Sequence, residues 1–134
     1  IKSEGWELDP AMTLYCSNNE EINLKLIEEF LLLPDRPDGI LTSVEKLAFS
    51  TYHAVKRTKL RIPSDLKLIS FSNSSIAGLL NPSLTTITQP AFTIGNECAE
   101  LLIKKLTKPK HYDLIDQVVT IPSKIMIRES TFVE

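Results

Sequence analysis

Short apolar runs alternate along the chain with stretches of helical period, and that rhythm predicts strands and helices taking turns in a parallel α/β sheet. Residues 12–17 form the first strand candidate. They lead into Asn18 and Asn19, suitable caps for a helix whose first turn holds Glu20 and Glu21 near the positive end of its dipole. Ile22, Leu26, Ile27, Phe30 and Leu31 give that helix an apolar stripe, and Pro34 and Pro37 stop it. Residues 39–42 are a short apolar run of the kind that fills the middle of a parallel sheet.

Ser43 suits the cap of a second helix, whose inner face would carry Val44, Leu47, Ala48, Thr51, Ala54 and Val55. Lys56, Arg57 and Lys59 fall at its negative end. Phe49 and Tyr52 lie outside that stripe, one turn apart, and a contact between subunits would account for them. A third strand is expected over residues 66–71, with the polar run 72–75 at its C-terminal end, where open α/β sheets bind ligands. Residues 84–88 predict another strand, and Pro90 opens a helix running through Ile94, Cys98 and Leu102. Gly95 inside that helix points to a closely approaching neighbour. Beyond Pro109, residues 118–121 and the alternating 125–128 both read as strands. At the other end, residues 1–5 read as a helix tail stopped by Gly5, with Trp6 tucked behind it, as if the stretch were cut from something longer.

Composition adds bounds to this picture. A chain of 134 residues with 43% apolar residues can bury one sizeable core. Its formal net charge of −2, with Lys and Arg dispersed, gives no general attraction to phosphate backbones, so this stretch is not expected to touch DNA itself. Cys16 and Cys98 have no CxxC spacing and read as small buried hydrophobes rather than redox or zinc ligands. His53 and His111 have no partner at a motif spacing, and no phosphate-binding glycine pattern occurs. No catalytic residue, metal or cofactor is therefore expected. The longest apolar run, residues 30–33, is too short to cross a bilayer, and no signal-peptide pattern opens the chain; a cytoplasmic location is the expectation.

Three blocks narrow the picture. Arg36-Pro37-Asp38-Gly39-Ile40, Leu60-Arg61-Ile62-Pro63-Ser64-Asp65 and Pro82-Ser83-Leu84-Thr85-Thr86-Ile87-Thr88-Gln89-Pro90 follow one another in the order and spacing typical of lactose/galactose-repressor (LacI/GalR) regulators. Glu7-Leu8-Asp9-Pro10 and the stretch from Ile121-Pro122 to Arg128-Glu129-Ser130 resemble that family's opening turn and closing strand. The resemblance implies a three-layer parallel sheet like that of type I periplasmic binding proteins. This chain would be most of the C-terminal lobe, residues 1–89 and about 111–134, with residues 90–110 a crossover helix packing on an N-terminal lobe outside the stretch. A DNA-binding headpiece would precede both lobes, so operator DNA would be reached only through it.

The same resemblance implies a small-molecule effector, sugar-like, held between the lobes, and a homodimer. The position where relatives often stack an aromatic falls on Asn18, their Asn-Asp pair becomes Val44-Glu45, and their ligand-binding Asp becomes Ser72. Asn18, Glu45, Ser72 and Asn73 remain as polar candidates for effector contact, while Val44 reads as core. Phe49, Tyr52 and Leu80 match the family's dimer face. Two alternatives stay open: a periplasmic-type sugar-binding protein of the same fold, and a regulator whose effector pocket has degenerated.

Overall fold

The computed structural model describes residues 5, 7, 9–72, 74–107 and 118–132. Four strands, β1 (Gly39–Thr42), β2 (Lys67–Phe71), β3 (Thr85–Thr88) and β4 (Lys124–Met126), form one sheet in that order. The first three run parallel, with Ile40 opposite Leu68 and Ile69 opposite Thr85, and β4 closes the edge antiparallel to β3. β1 occupies the residues its pattern predicts.

Helices α1 (Glu20–Leu31) and α2 (Glu45–Thr58) pack on each other, and α2 lies on one face of this sheet. One cluster joins Ile27 and Leu31 of α1 to Ala54 and Val55 of α2 and to Leu66; a second joins Ala48 to Leu68, Ala77 and Leu84, and Ile40 packs against both. Alanines on α2 let the helix sit close, so the large leucines beneath it lose all but a trace of solvent contact. Each such leucine contributes about 1.5–3 kcal/mol of apolar burial. On the opposite face Leu41 and Ile125 remain exposed, and among the described residues no helix covers them.

The recognisable blocks fix turns. Arg36 donates from its guanidinium to the Asp65 carbonyl at 2.8 Å, and Lys67 N–H donates to the Asp38 carbonyl, so the loop before β1 is tied to the start of β2. Arg61 pairs with Asp65 one turn away, which holds the Asp65 carboxyl below its usual range. The closing segment is stitched between strands: fully buried Ser130 donates its hydroxyl to the Leu68 carbonyl at 2.6 Å and accepts the Thr85 N–H at 2.8 Å. Its backbone also bridges Leu68 and Ser83.

Several expectations from the pattern need correction. Residues 12–17 are not a strand: Pro10–Met12 is a 3-10 turn capped by Asp9, and residues 13–17 run on outside the sheet ladder. A gap of about 430 Å³ separates them from the open side of β1. Apolar alternation sets side-chain direction, but a strand also needs a neighbour at hydrogen-bonding distance. Residues 118–121 fail for the same reason and pair with no strand among the described residues. The cap of α2 is Val44, extended and without a side-chain hydrogen bond, rather than Ser43, and Val44 is 50% exposed rather than core. Ile22, one turn into α1, is also exposed.

The helix expected after Pro90 is α3 (Ala91–Thr107), and none of its residues is buried. A Cβ placed on Gly95 would meet nothing within 4 Å, so among the described residues no close neighbour explains that glycine. Cys98 is exposed and Cys16 half-buried, against the expectation that both are core. Residues 1–4 of the helix tail, Trp6, His111 and Asn73 lie outside the described residues, while Gly5 has a φ of 77°, the left-handed backbone expected of a helix stop.

Candidate functional site: the C-terminal edge of the parallel strands

β1, β2 and β3 all end on one side of the molecule, and the residues just past their ends line two adjoining cavities. The larger, about 600 Å³, lies between the segment Cys16–Asn18 and the start of α2, with Asn23, Ser43 and Glu45 on its walls. The smaller, about 440 Å³, is lined by Glu45, Lys46, Phe71, Ser72 and Gln89. Glu45 faces both, because α2 begins directly after β1 and its first turn leans over the strand ends.

Of the expected effector contacts, Asn18, Glu45 and Ser72 are thus gathered at this edge. Buried Ser72 donates its hydroxyl to the Glu45 carboxylate at 2.8 Å and accepts the Ser74 N–H at 3.0 Å. Asn18 does not cap α1; Asn19 does, its side-chain oxygen accepting the Ile22 N–H at 3.1 Å. The wall carrying Asn18 is fixed instead by Asn23, buried on α1, whose amide accepts the Ser17 N–H and donates to the Ser17 carbonyl, both at 2.8 Å. An amide satisfied on both sides in this way is a specific tether, since either loss strands a buried polar group.

Sequence reasoning missed Asn23, Phe71, Lys46 and Gln89. Phe71 and Gln89 carried a usable signal, as each stands at a strand's C-terminal end beside a residue already singled out. Asn23 carried none, because its partner is backbone.

A second feature lies on the outer side of α2. Phe49, Tyr52 and Leu80, singled out for subunit pairing, share one open groove of about 800 Å³ with Ile76 and Pro82. Tyr52 is not the free apolar spot its spacing suggests: it packs on the Leu68 cluster and its hydroxyl donates to the Pro82 carbonyl at 2.6 Å. Burial, with the nearby Glu129 carboxylate, pushes its phenol up to about 12. Glu129 itself is held below its usual range by the N–H and hydroxyl of Ser83. Ile76 and, in the same turn, Leu79 are exposed.

Among the described residues no group of His, Cys, Asp and Glu gathers to hold a metal, and no helix is long and apolar enough to cross a membrane. A family model described as periplasmic binding protein-like domain matches residues 3–131. The chain belongs to that family. Within it, the relatives of this periplasmic binding protein-like domain are LacI-family repressors and control proteins, not enzymes. Catabolite control protein A of Priestia megaterium is 28% identical over 109 residues, 81% of this chain and 32% of its own length. The ribose operon repressor of Halalkalibacterium halodurans is 35% identical over 94 residues, 70% of this chain and 28% of its own. The structure of a LacI-family regulatory protein from Chloroflexus aggregans superposes with a TM-score of 0.80 at 22% identity, over 98% of this chain and 46% of that one. The last likeness is one of fold. The chain spans about a third of the length of these two sequence relatives.

Proposed function

We propose that this chain is the ligand-sensing and subunit-pairing part of a DNA-binding transcription regulator, with a small, sugar-like effector taken up at the C-terminal edge of its parallel strands. The observation that carries the reading is the meeting of Asn18, Glu45 and Ser72, from three separate parts of the chain, around two adjoining cavities at that edge. Asn73, next in sequence to Ser72, is a further candidate contact. Open α/β sheets bind ligands where strand ends leave a crevice, and polar groups converging on a cavity are what such a site requires. The name of the ribose operon repressor favours a sugar as the effector class.

The effector lies between two lobes. Residues 1–89 and about 111–134 are one; residues 90–110 cross to the other, which the lack of any buried residue on α3 supports. Phe49, Tyr52 and Leu80 pair two copies, operator DNA is held by an N-terminal headpiece outside this stretch, and the protein works in the cytoplasm. Effector binding transmits a signal only through its different affinity for the open and closed lobes.

The test is a thermal-shift screen of the full natural chain against neutral sugars, nucleosides and their phosphates. A ligand that binds the folded state alone raises the melting temperature by a concentration-dependent amount. Absence of any shift across the panel overturns the sensing role.

A further inference from the structure

We infer that Ser72 does not read the effector itself but positions Glu45, and that the Glu45 carboxylate is the group that selects an uncharged, polyhydroxyl ligand. This rests on the sensing role proposed above and deepens it.

A hydroxyl has one proton to give and two acceptor positions. Ser72 gives its proton to Glu45 at 2.8 Å and takes the Ser74 N–H at 3.0 Å, so its one proton is spent, and the residue is buried. It has no donor for a ligand oxygen. Glu45, by contrast, stands in the wall shared by both cavities, and an ionised carboxylate has about four lone-pair sites, of which Ser72 fills one.

The bond crosses from the loop after β2 to the first turn of α2, 27 residues earlier, so it fixes the rotamer of a side chain that would otherwise swing in open space. The family resemblance places a carboxylate at position 72; here the negative charge comes to the same edge from position 45.

An acceptor-only group demands donors from its ligand, and charge-assisted bonds from hydroxyl pairs satisfy it. A phosphate or carboxylate on the ligand would instead face like charge. Lys46, the only cation among the described residues lining either cavity, is exposed and screened by water. Phe71 in the second cavity supplies an apolar wall for a ring.

The experiment is a double-mutant cycle in the full natural chain, reading dissociation constants by calorimetry for the neutral sugars and nucleosides of the screen and for their phosphates. Glu45→Gln weakens the bound neutral ligand about tenfold or more, and Ser72→Ala weakens it by a similar or smaller factor. Because Ser72 acts through Glu45, Ser72→Ala adds nothing once Glu45→Gln is present, and Ser72→Thr, which keeps the hydroxyl, binds nearly as the natural protein does.

A neutral ligand whose affinity ignores Glu45→Gln, or a full Ser72→Ala loss persisting in the Glu45→Gln background, overturns the inference and leaves the sensing role standing. A phosphorylated ligand binding more tightly than its neutral parent also overturns it. If nothing in the panel binds, the sensing role falls, and this inference with it.

Discussion

Replacing Ser130 by alanine isolates one buried hydroxyl with almost no change of volume. In the folded chain that hydroxyl accepts the Thr85 N–H at 2.8 Å and donates to the Leu68 carbonyl at 2.6 Å, and both Thr85 and Ser130 are shut off from solvent. Alanine leaves the Thr85 N–H without its acceptor at the start of β3, in a place water does not reach. An orphaned buried donor costs about 1–3 kcal/mol, and the lost bond to Leu68 keeps the total from the low end of that range, so about 2 kcal/mol is expected. With a urea slope of about 2 kcal/mol per molar, the unfolding midpoint of the full natural chain falls by about 1 M, at unchanged slope. Far-UV circular dichroism across a urea series reads it. Thr88→Ala is the control, since its hydroxyl bonds the Lys124 carbonyl at an exposed edge and its loss should shift the midpoint by about a quarter of that or less. Equal midpoints for Ser130→Ala and the natural chain would refute the claim that the closing segment holds β2 and β3 together through this side chain.

Further outcomes follow from the same geometry. Phe49→Glu or Leu80→Asp should shift a sedimentation profile from dimer to monomer, because a charge in the shared groove cannot be desolvated without a partner; an unchanged profile rejects the pairing role. For Tyr52, ultraviolet titration should show one tyrosine ionising near 12 that Tyr52→Phe removes. Its folded value is raised, so the stability it brings is fully present below about 10 and is lost as pH rises through about 12. Glu129 runs the other way: its folded value is lowered, so Glu129→Gln costs stability above the ordinary 4.5, and in urea series at successive pH values that cost fades as pH falls through the lowered value. Asn23→Ala should free the Ser17 amide to exchange with solvent faster by tenfold or more, about the worth of one buried hydrogen bond, while amides in β2 stay protected.

What the sequence disclosed was local. Gly39–Thr42 could be read residue for residue because a short apolar run between turn signals has few other uses, and α1 announced itself through Asn19 and the glutamates of its first turn. Lateral pairing was not legible: residues 13–17 and 118–121 have strand-like patterns, but whether an edge lies beside them depends on the whole sheet. Helical spacing put Val44 and Ile22 on inner faces, yet both sit at the N-terminal end of a helix, where the turn clears the sheet and the side chain reaches solvent. The place where the two cavities gather was legible, since strand ends can be counted. Its wiring was not, because the Ser72–Glu45 bond and the Tyr52–Pro82 bond join residues 27 and 30 apart with no motif between them. Tyr52 is the clearest case: its spacing spoke of an outward ring, while a carbonyl across the turn holds its hydroxyl.

α3 has a practical consequence for anyone preparing this stretch alone. Phe92, 82% exposed, is joined by Ile94, Leu102, Ile103 and Leu106 on a helix with no buried residue, so the isolated polypeptide would present a greasy rod to whatever it meets. Such a preparation should stick to itself in proportion to its concentration, light up hydrophobic dyes while folded, and be retained by the chaperones of its expression host.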